Sequence, residues 1–390
     1  MQTNYTCIRC GRSVADEKIL YRCPSCNDLL DIRYVYEENG VSIDVWETRE
    51  PSVWRYRELL PIKDLSKVVS LKEGGTPLYR CANLMREANM RDVYVKNEGE
   101  NPTGSFKDRG MTVAISKVME VGGRAVACAS TGNTAASLAA YAAKAGLRCI
   151  LFIPKGRIAR GKLVQATIFG AEMVQVEGNF DTALKEIIRA VEEDPSIFLM
   201  NSINPFRIEG QKTLAFEISG QLGYRNPDVA IIPVGNAGNI TALWKGFKEL
   251  NRLGLIDGLP IVVGVQAQGA SPIASAFRKG QDSIERWADP ETIASAIRIG
   301  NPVNWRRALE AAWESRGEIV TVSDAEILAA QRYLARREGI FVEPASAATV
   351  AYLRKGVEEG HIDKDEEVVC ITTGHGLKDP DAVFKGEIAD

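Results

Sequence analysis

The chain has 390 residues, 45% of them hydrophobic and 25% charged, and its 48 basic and 51 acidic side chains give a formal net charge of 48 − 51 = −3. That length predicts two or three structural units with room for an internal site, and the balanced, scattered charge removes the basic footprint that nucleic-acid binding requires. No run approaches the roughly 18 to 20 apolar residues of a membrane span, and the start MQTNYTCIRC has neither the basic nor the apolar region of an export signal, so a cytoplasmic protein without membrane contact is expected.

The first element is cysteine-defined. Cys7-Ile-Arg-Cys10, twelve further residues and Cys23-Pro-Ser-Cys26 form two Cys-x-x-Cys pairs around a short hairpin. Four thiolates in that spacing suit a tetrahedral soft-metal site, with zinc the default and iron the alternative. Unliganded or redox-paired thiols are the competing reading. A site closed by four protein ligands leaves no position for substrate, so its role would be to fold a small lobe, taken as residues 1–40. Tyr21, Leu29, Ile32 and Tyr34 alternate there as short strands would. The other cysteines, Cys81, Cys128, Cys149 and Cys370, are isolated and expected to be reduced and in the core. From Val35 to Lys72 the chain is rich in charge and aromatic residues and reads as a wrapping arm with a short helix.

Beyond Gly74, strand and helix patterns alternate. β-rich runs fall at 93–96, 125–129, 149–154, 173–176, 229–234, 261–266 and 367–372. Between them lie amphipathic segments such as Phe106 to Glu120, Asn133 to Ala145, Phe180 to Glu192 and Asp324 to Glu338. Continuous apolar strands separated by helices predict βαβ units in buried, mostly parallel sheets, and their number predicts two sheets. In such folds ligands sit at the carboxyl ends of strands, facing helix N-termini.

Four loops occupy those ends. In Asn101-Pro-Thr-Gly-Ser-Phe-Lys107, a lysine opens a helix. The positive end of the helix dipole disfavours its ammonium form and favours a nucleophilic amine, although the bare pattern also fits a solvated lysine. Ser130, Thr131, Gly132, Asn133 and Thr134 gather hydroxyls, an amide and backbone N–H groups at the next helix start, as a carboxylate clamp would, or as plain N-capping would. Gly235, Asn236, Ala237, Gly238 and Asn239 form a glycine-containing loop before another helix. It reads as a phosphate cradle rather than a mere tight turn, lacks the lysine of a nucleotide P-loop and the dinucleotide spacing, and therefore points to a small phosphorylated cofactor. The last loop, 370–380, offers hydroxyls at Thr372 and Thr373 and the histidine His375, which reads as a loop-packing residue more than as an acid or base.

Taken together, NPTGSFKDRGM, CASTGNTAASLAAYAAKAG, RIARGKL, VQVEGNFD, NSINPFRIEGQKTLAFEI, PVGNAGNITALW, AIRIGNPVNW, EGIFVEPASAA and TTGHGLKDP resemble, in order, the threonine synthases among fold type II pyridoxal-phosphate enzymes. The match runs from about Gly74 to Pro380. The resemblance implies an α/β, tryptophan synthase beta-like fold of two open, mostly parallel sheet lobes, filling residues 41–390 with a smaller lobe at about 120–210, behind the N-terminal four-cysteine ribbon. It implies that Lys107 carries pyridoxal 5'-phosphate and shuttles protons, that Asn133 meets the cofactor's phenolic oxygen, and that Gly235 through Asn239 hold its phosphate. Thr373, or less favourably Thr372, would meet the ring nitrogen.

The substrate implied is O-phospho-L-homoserine, converted with water to L-threonine and phosphate. Its carboxylate would lie on Ser130, Thr131, Gly132 and Thr134, and its phosphate on Lys162, Asn201, Ser202 and Arg207. A homodimer is the family's common assembly. The alternatives are a threonine or serine dehydratase, a cysteine synthase, or a homologue that binds ligand without catalysis.

Overall fold

The computed structural model describes residues 2–15, 19–35, 41–155, 160–178 and 180–384. Contacts divide the chain into two compact units. One comprises Met1–Gly75 with Lys107–Thr213, and the other comprises Thr76–Phe106 with Leu214–Asp390.

The first unit holds two sheets. Gln2–Cys7 pairs antiparallel with Ser13–Ala15 on one side and Leu30–Val35 on the other. The expected strand character of Ile32 and Tyr34 lies in that last strand, while Tyr21 and Leu29 fall outside strands, Leu29 making an isolated bridge to Arg22. The second sheet is fully parallel, in the order Glu172–Val176, Arg148–Pro154, Ala125–Ala129, Ile197–Leu199. The fourth strand has only three residues, too short for a hydrophobic run to announce it.

Seven of the thirteen residues of the Asn133–Ala145 helix are alanine, the best helix former, and it stops at Gly146, whose φ of 67° is the left-handed conformation that glycine adopts without a Cβ penalty. Pro205–Gln211 starts with Asn204 accepting from the Phe206 N–H and with proline at its first turn. Where it crosses the Lys107–Glu120 helix, a β-carbon at Gly210 would sit 1.8 Å from the Arg109 carbonyl oxygen, so only glycine permits this approach. The ribbon is not a free appendage. Tyr5, Ile32 and Tyr34 share one apolar cluster with Met111, Leu138 and Phe206. The 41–75 arm joins the same unit, with a short helix at Ile43–Glu47 and with the Trp54 indole donating to the Thr112 hydroxyl at 2.8 Å.

The second unit carries six strands in the order Glu318–Val322, Ile261–Ala267, Val229–Pro233, Glu367–Thr372, Asp92–Asn97, Leu78–Arg80. All pairs are parallel except the last, where Leu78–Arg80 lies antiparallel on the edge. The four strands from Ile261–Ala267 through Asp92–Asn97 match the apolar runs read from the sequence to within one residue at either end. The helical pattern expected at 324–338 is α-helical only over Asp324–Tyr333; Leu334–Glu338 widens into a π-turn that ends at Gly339, whose φ is 72°. Periodicity does not separate the two, because a π-turn needs only one extra residue per turn. Among the described residues no helix is long and apolar enough to cross a membrane.

Candidate active site

In the first unit, Lys107 is the first residue of the Lys107–Glu120 helix and is half-buried, followed by the fully buried Asp108 and Arg109. The crossing at Gly110 and Gly210 fixes this helix against the one that carries Arg207. The strand Ala125–Ala129 delivers Ser130, Thr131 and Gly132 to the next helix start, where Asn133 and Thr134 form the first turn. All five are half-buried. No side chain caps this helix; Ser130 Oγ instead accepts from the Gly132 N–H at 3.3 Å, inside the loop. An N-terminus without a side-chain cap retains donors for an external anion.

The same strand end is fastened by Asn201. Its Oδ1 accepts from the Ala129 N–H and its Nδ2 donates to the Ala129 carbonyl, both at 3.0 Å. The amide thus copies a backbone partner and holds the Ser130–Thr134 loop at its root. Arg207 is 3% exposed; its Nη1 donates to the Met200 carbonyl at 3.0 Å, while Nε has no hydrogen-bond partner. Burial lowers its guanidinium to a pKa of about 10, so it stays charged at neutral pH. Ser202 is half-buried between these two residues in sequence. Lys162 belongs to the Arg160–Ile168 helix, but its side chain lies outside the described residues.

In the second unit, Val229–Pro233 leads into Gly235 to Asn239 and the helix Gly238–Arg252. Gly235 packs so closely that a β-carbon would lie 3.1 Å from the Ile297 Cα and 3.2 Å from the Ala296 oxygen. Ala237 holds a left-handed φ of 63° at the helix start, which has no side-chain cap. The Asn236 carbonyl accepts from both the backbone and the side chain of Asn304. Asn239 is the informative residue: it is 6% exposed, yet neither its Oδ1 nor its Nδ2 has a partner. Burying an unpaired amide is unfavourable by roughly 1–3 kcal/mol, so the loop's own chemistry fits a bound polar group such as a phosphate.

Thr373 and Thr372 separate cleanly. The Thr372 hydroxyl is engaged with the Lys96 carbonyl (3.2 Å) and Asn97 Oδ1 (3.1 Å). The Thr373 hydroxyl lies 3.1 Å from Ser346 Oγ, which also accepts from the Thr373 and Gly374 N–H groups at 2.8 and 2.9 Å. Ser346 and Asn304 were not singled out from sequence. Both fall in blocks that carry the family resemblance, EPASAA and NPVNW, and that is the signal that could have found them. His375 packs its ring edgewise on Phe341 (5.7 Å between centroids), and its Nδ1 accepts from the Leu377 N–H. The backbone of this segment also receives the chain just before Lys107: the Phe106 N–H donates to the Thr373 carbonyl and the His375 N–H to that of Gly104. A cavity of about 470 Å³ in this unit, beside Glu100, Glu338 and His375, touches none of the candidate cofactor residues.

The four ribbon cysteines converge. Their sulfurs all lie within 4.8 Å of one another, with Cys7 to Cys26 at 3.3 Å and Cys10 to Cys23 at 3.7 Å. A tetrahedral zinc with Zn–S bonds of about 2.3 Å needs sulfur–sulfur edges of about 3.8 Å. Backbone N–H groups of Arg9 and Cys10 point at Cys7 Sγ, and that of Ser25 at Cys23 Sγ. The donor set therefore fits a metal ion.

Comparison with known proteins places the chain in a family. The sequence profile of the family described as "Pyridoxal-phosphate dependent enzyme" matches residues 69–374. A threonine synthase of Methanocaldococcus jannaschii is 58% identical over 97% of this chain and 94% of its own length. One of Halalkalibacterium halodurans is 54% identical over 85% of this chain and 92% of its own. Among solved structures, the processed form of threonine deaminase isoform 2 from Solanum lycopersicum superposes with a TM-score of 0.70 at 21% identity, covering 91% of this chain and 96% of that one, which speaks to the fold alone.

Proposed function

The chain belongs to the threonine synthases within the pyridoxal-phosphate dependent enzymes, and from that premise we propose that it converts O-phospho-L-homoserine and water to L-threonine and inorganic phosphate. The observation that carries this reading is the 58% identity to a threonine synthase over 97% of the chain. Bound pyridoxal phosphate would supply an electron sink that acidifies the carbons next to the substrate's amine.

Lys107 would hold the cofactor through Nζ, and its amine would move protons at the substrate's α- and β-carbons so that the γ-phosphate can leave and water can add. Asn133 orients the cofactor's phenolic oxygen. Gly235 to Asn239 bind its phosphate with backbone donors and the Asn239 amide, whose lack of any partner supports that role. Thr373, fixed through Ser346, meets the ring nitrogen with a neutral hydroxyl. The start of the Asn133–Ala145 helix, with Ser130, Thr131, Gly132 and Thr134, binds the substrate carboxylate.

Arg207, Ser202, Lys162 and Asn201 form the substrate-phosphate site. The unpartnered Arg207 Nε supports the first of these, while the Asn201 amide also secures the loop root. In the ribbon, Cys7, Cys10, Cys23 and Cys26 hold a structural zinc. The enzyme works in the cytoplasm as a homodimer.

Purified protein supplied with pyridoxal phosphate and O-phospho-L-homoserine should release threonine and phosphate in equal amounts. Formation of 2-oxobutyrate from threonine, with no phosphate released from the phosphorylated substrate, would instead identify a dehydratase. Metal analysis should find one zinc per chain, and light scattering the mass of two chains.

A further inference from the structure

We infer that the four-cysteine ribbon positions the segment that binds the substrate's phosphate, and that the hydroxyls of Tyr21 and Tyr34 are its positioning groups. The inference rests on the reading of Asn201, Ser202 and Arg207 as that phosphate site.

The ribbon grips this segment at both ends. Before it, the backbone N–H of Leu199, at the end of the edge strand Ile197–Leu199, donates to the Tyr21 hydroxyl at 2.8 Å. After it, the Tyr34 hydroxyl donates to Glu209 Oε2 at 2.5 Å. Glu209 is fully buried, and the equally buried Lys212 both donates to it at 2.7 Å and lies 4.1 Å from the centre of the Tyr34 ring. In the middle, Tyr5 meets Phe206 edge to face with ring centres 6.2 Å apart.

The Pro205–Gln211 helix has no slack where it crosses Lys107–Glu120, because a β-carbon at Gly210 would sit 1.8 Å from the Arg109 carbonyl oxygen. Residues 199 to 209 are therefore held between a rigid helix crossing and two phenols of the ribbon. Inside that clamp the Arg207 guanidinium is anchored by its bond to the Met200 carbonyl, so it goes where the backbone of 200–207 goes. A preorganised anion site loses affinity when its groups are free to shift, even with every contacting residue still present. Tyr21 and Tyr34 thus set the affinity for phosphate without touching it.

The test uses the full-length holoenzyme with Tyr21→Phe, Tyr34→Phe and the double substitution, and with Arg207→Lys as the reference for the phosphate site itself. Inorganic phosphate is the direct probe, titrated by calorimetry, alongside steady-state kinetics with O-phospho-L-homoserine, the cofactor's absorbance band and thermal melting. Each phenylalanine variant should weaken phosphate binding and raise KM by about 5- to 20-fold with kcat within about twofold, the pattern of lost binding with unchanged chemistry, and the cofactor band should not move. Arg33→Gln, on the exposed face of the same ribbon, should change none of these. If the tyrosine variants only lower the melting temperature while Arg207→Lys raises KM, the ribbon is a structural support and the inference is wrong. If Arg207→Lys leaves phosphate affinity and KM unchanged, the underlying assignment of the phosphate site fails instead. Should the double variant not fold, the single substitutions decide.

Discussion

Two helix starts in the same unit are built in opposite ways. At Asp324, Ser323 Oγ accepts from the Glu326 N–H at 3.2 Å and Glu326 Oε2 accepts from the Ser323 N–H at 2.6 Å, a reciprocal capping box that satisfies the first turn internally. At Gly238, the preceding residue is a left-handed alanine, no side chain caps the turn, and the buried Asn239 amide has no partner. Both follow a strand, Glu318–Val322 in the first case and Val229–Pro233 in the second, and both support long helices. The closed start serves stability by itself. The open one forgoes that internal stabilisation; under the proposed function its donors serve the cofactor's phosphate, as those of the similarly uncapped Asn133 start serve the substrate carboxylate. A missing cap alone does not make this difference, since Trp305–Glu314 and Pro344–Glu358 also start without one; the buried, unpartnered Asn239 amide is what sets the Gly238 start apart.

Substitutions should separate the two kinds. The largest effect is expected at Lys107: Lys107→Ala should lower turnover by about 10³-fold or more, as loss of a proton-shuttling group does, while melting of the apo-protein changes little. A cofactor absorbance band that survives dialysis unchanged in this variant would contradict the assignment. Asn239→Ala should weaken cofactor binding by about 10- to 100-fold, the loss of a hydrogen bond to a charged group. Because it also removes a buried unpaired amide, the apo-protein should melt at the same temperature or higher. A lower apo melting temperature with unchanged cofactor affinity would make Asn239 an ordinary core residue and end the contrast. The smallest effect belongs to the closed start, where Ser323→Ala should destabilise by about 1 kcal/mol and leave kcat and KM untouched.

What the sequence reveals follows from range. Strands such as Ala125–Ala129 and Val229–Pro233 are continuous apolar runs, and helices such as Asn133–Ala145 carry their own propensity and stop signal, so both are local properties. The loops between them carry the family's motifs, and the candidate residues of each unit stand at strand ends and helix starts as expected. The edge strand Leu78–Arg80 is three residues long and largely exposed, and Ile197–Leu199 is as short, so neither produces a period to detect. Contacts between distant positions are hidden for a different reason. Tyr21 and Leu199, or Tyr34 and Glu209, are joined only by the folded path of the chain. Likewise, nothing in the residue type tells that the Thr372 hydroxyl is spent on Asn97 and Lys96 while that of Thr373 turns to Ser346.

The Asn201 amide has a consequence for how the first unit breathes. On that side of Ala125–Ala129 the backbone ladder reaches the Met200 N–H, which donates to Ala127, and the next rung, on Ala129, is supplied by a side chain. A side-chain rung can open by rotation about χ angles while the main chain stays in place, which a backbone rung cannot do. The amide proton of Ala129 should therefore be protected as in a full sheet yet exchange through a local event, giving the root of the Ser130–Thr134 loop its own clock, distinct from global unfolding.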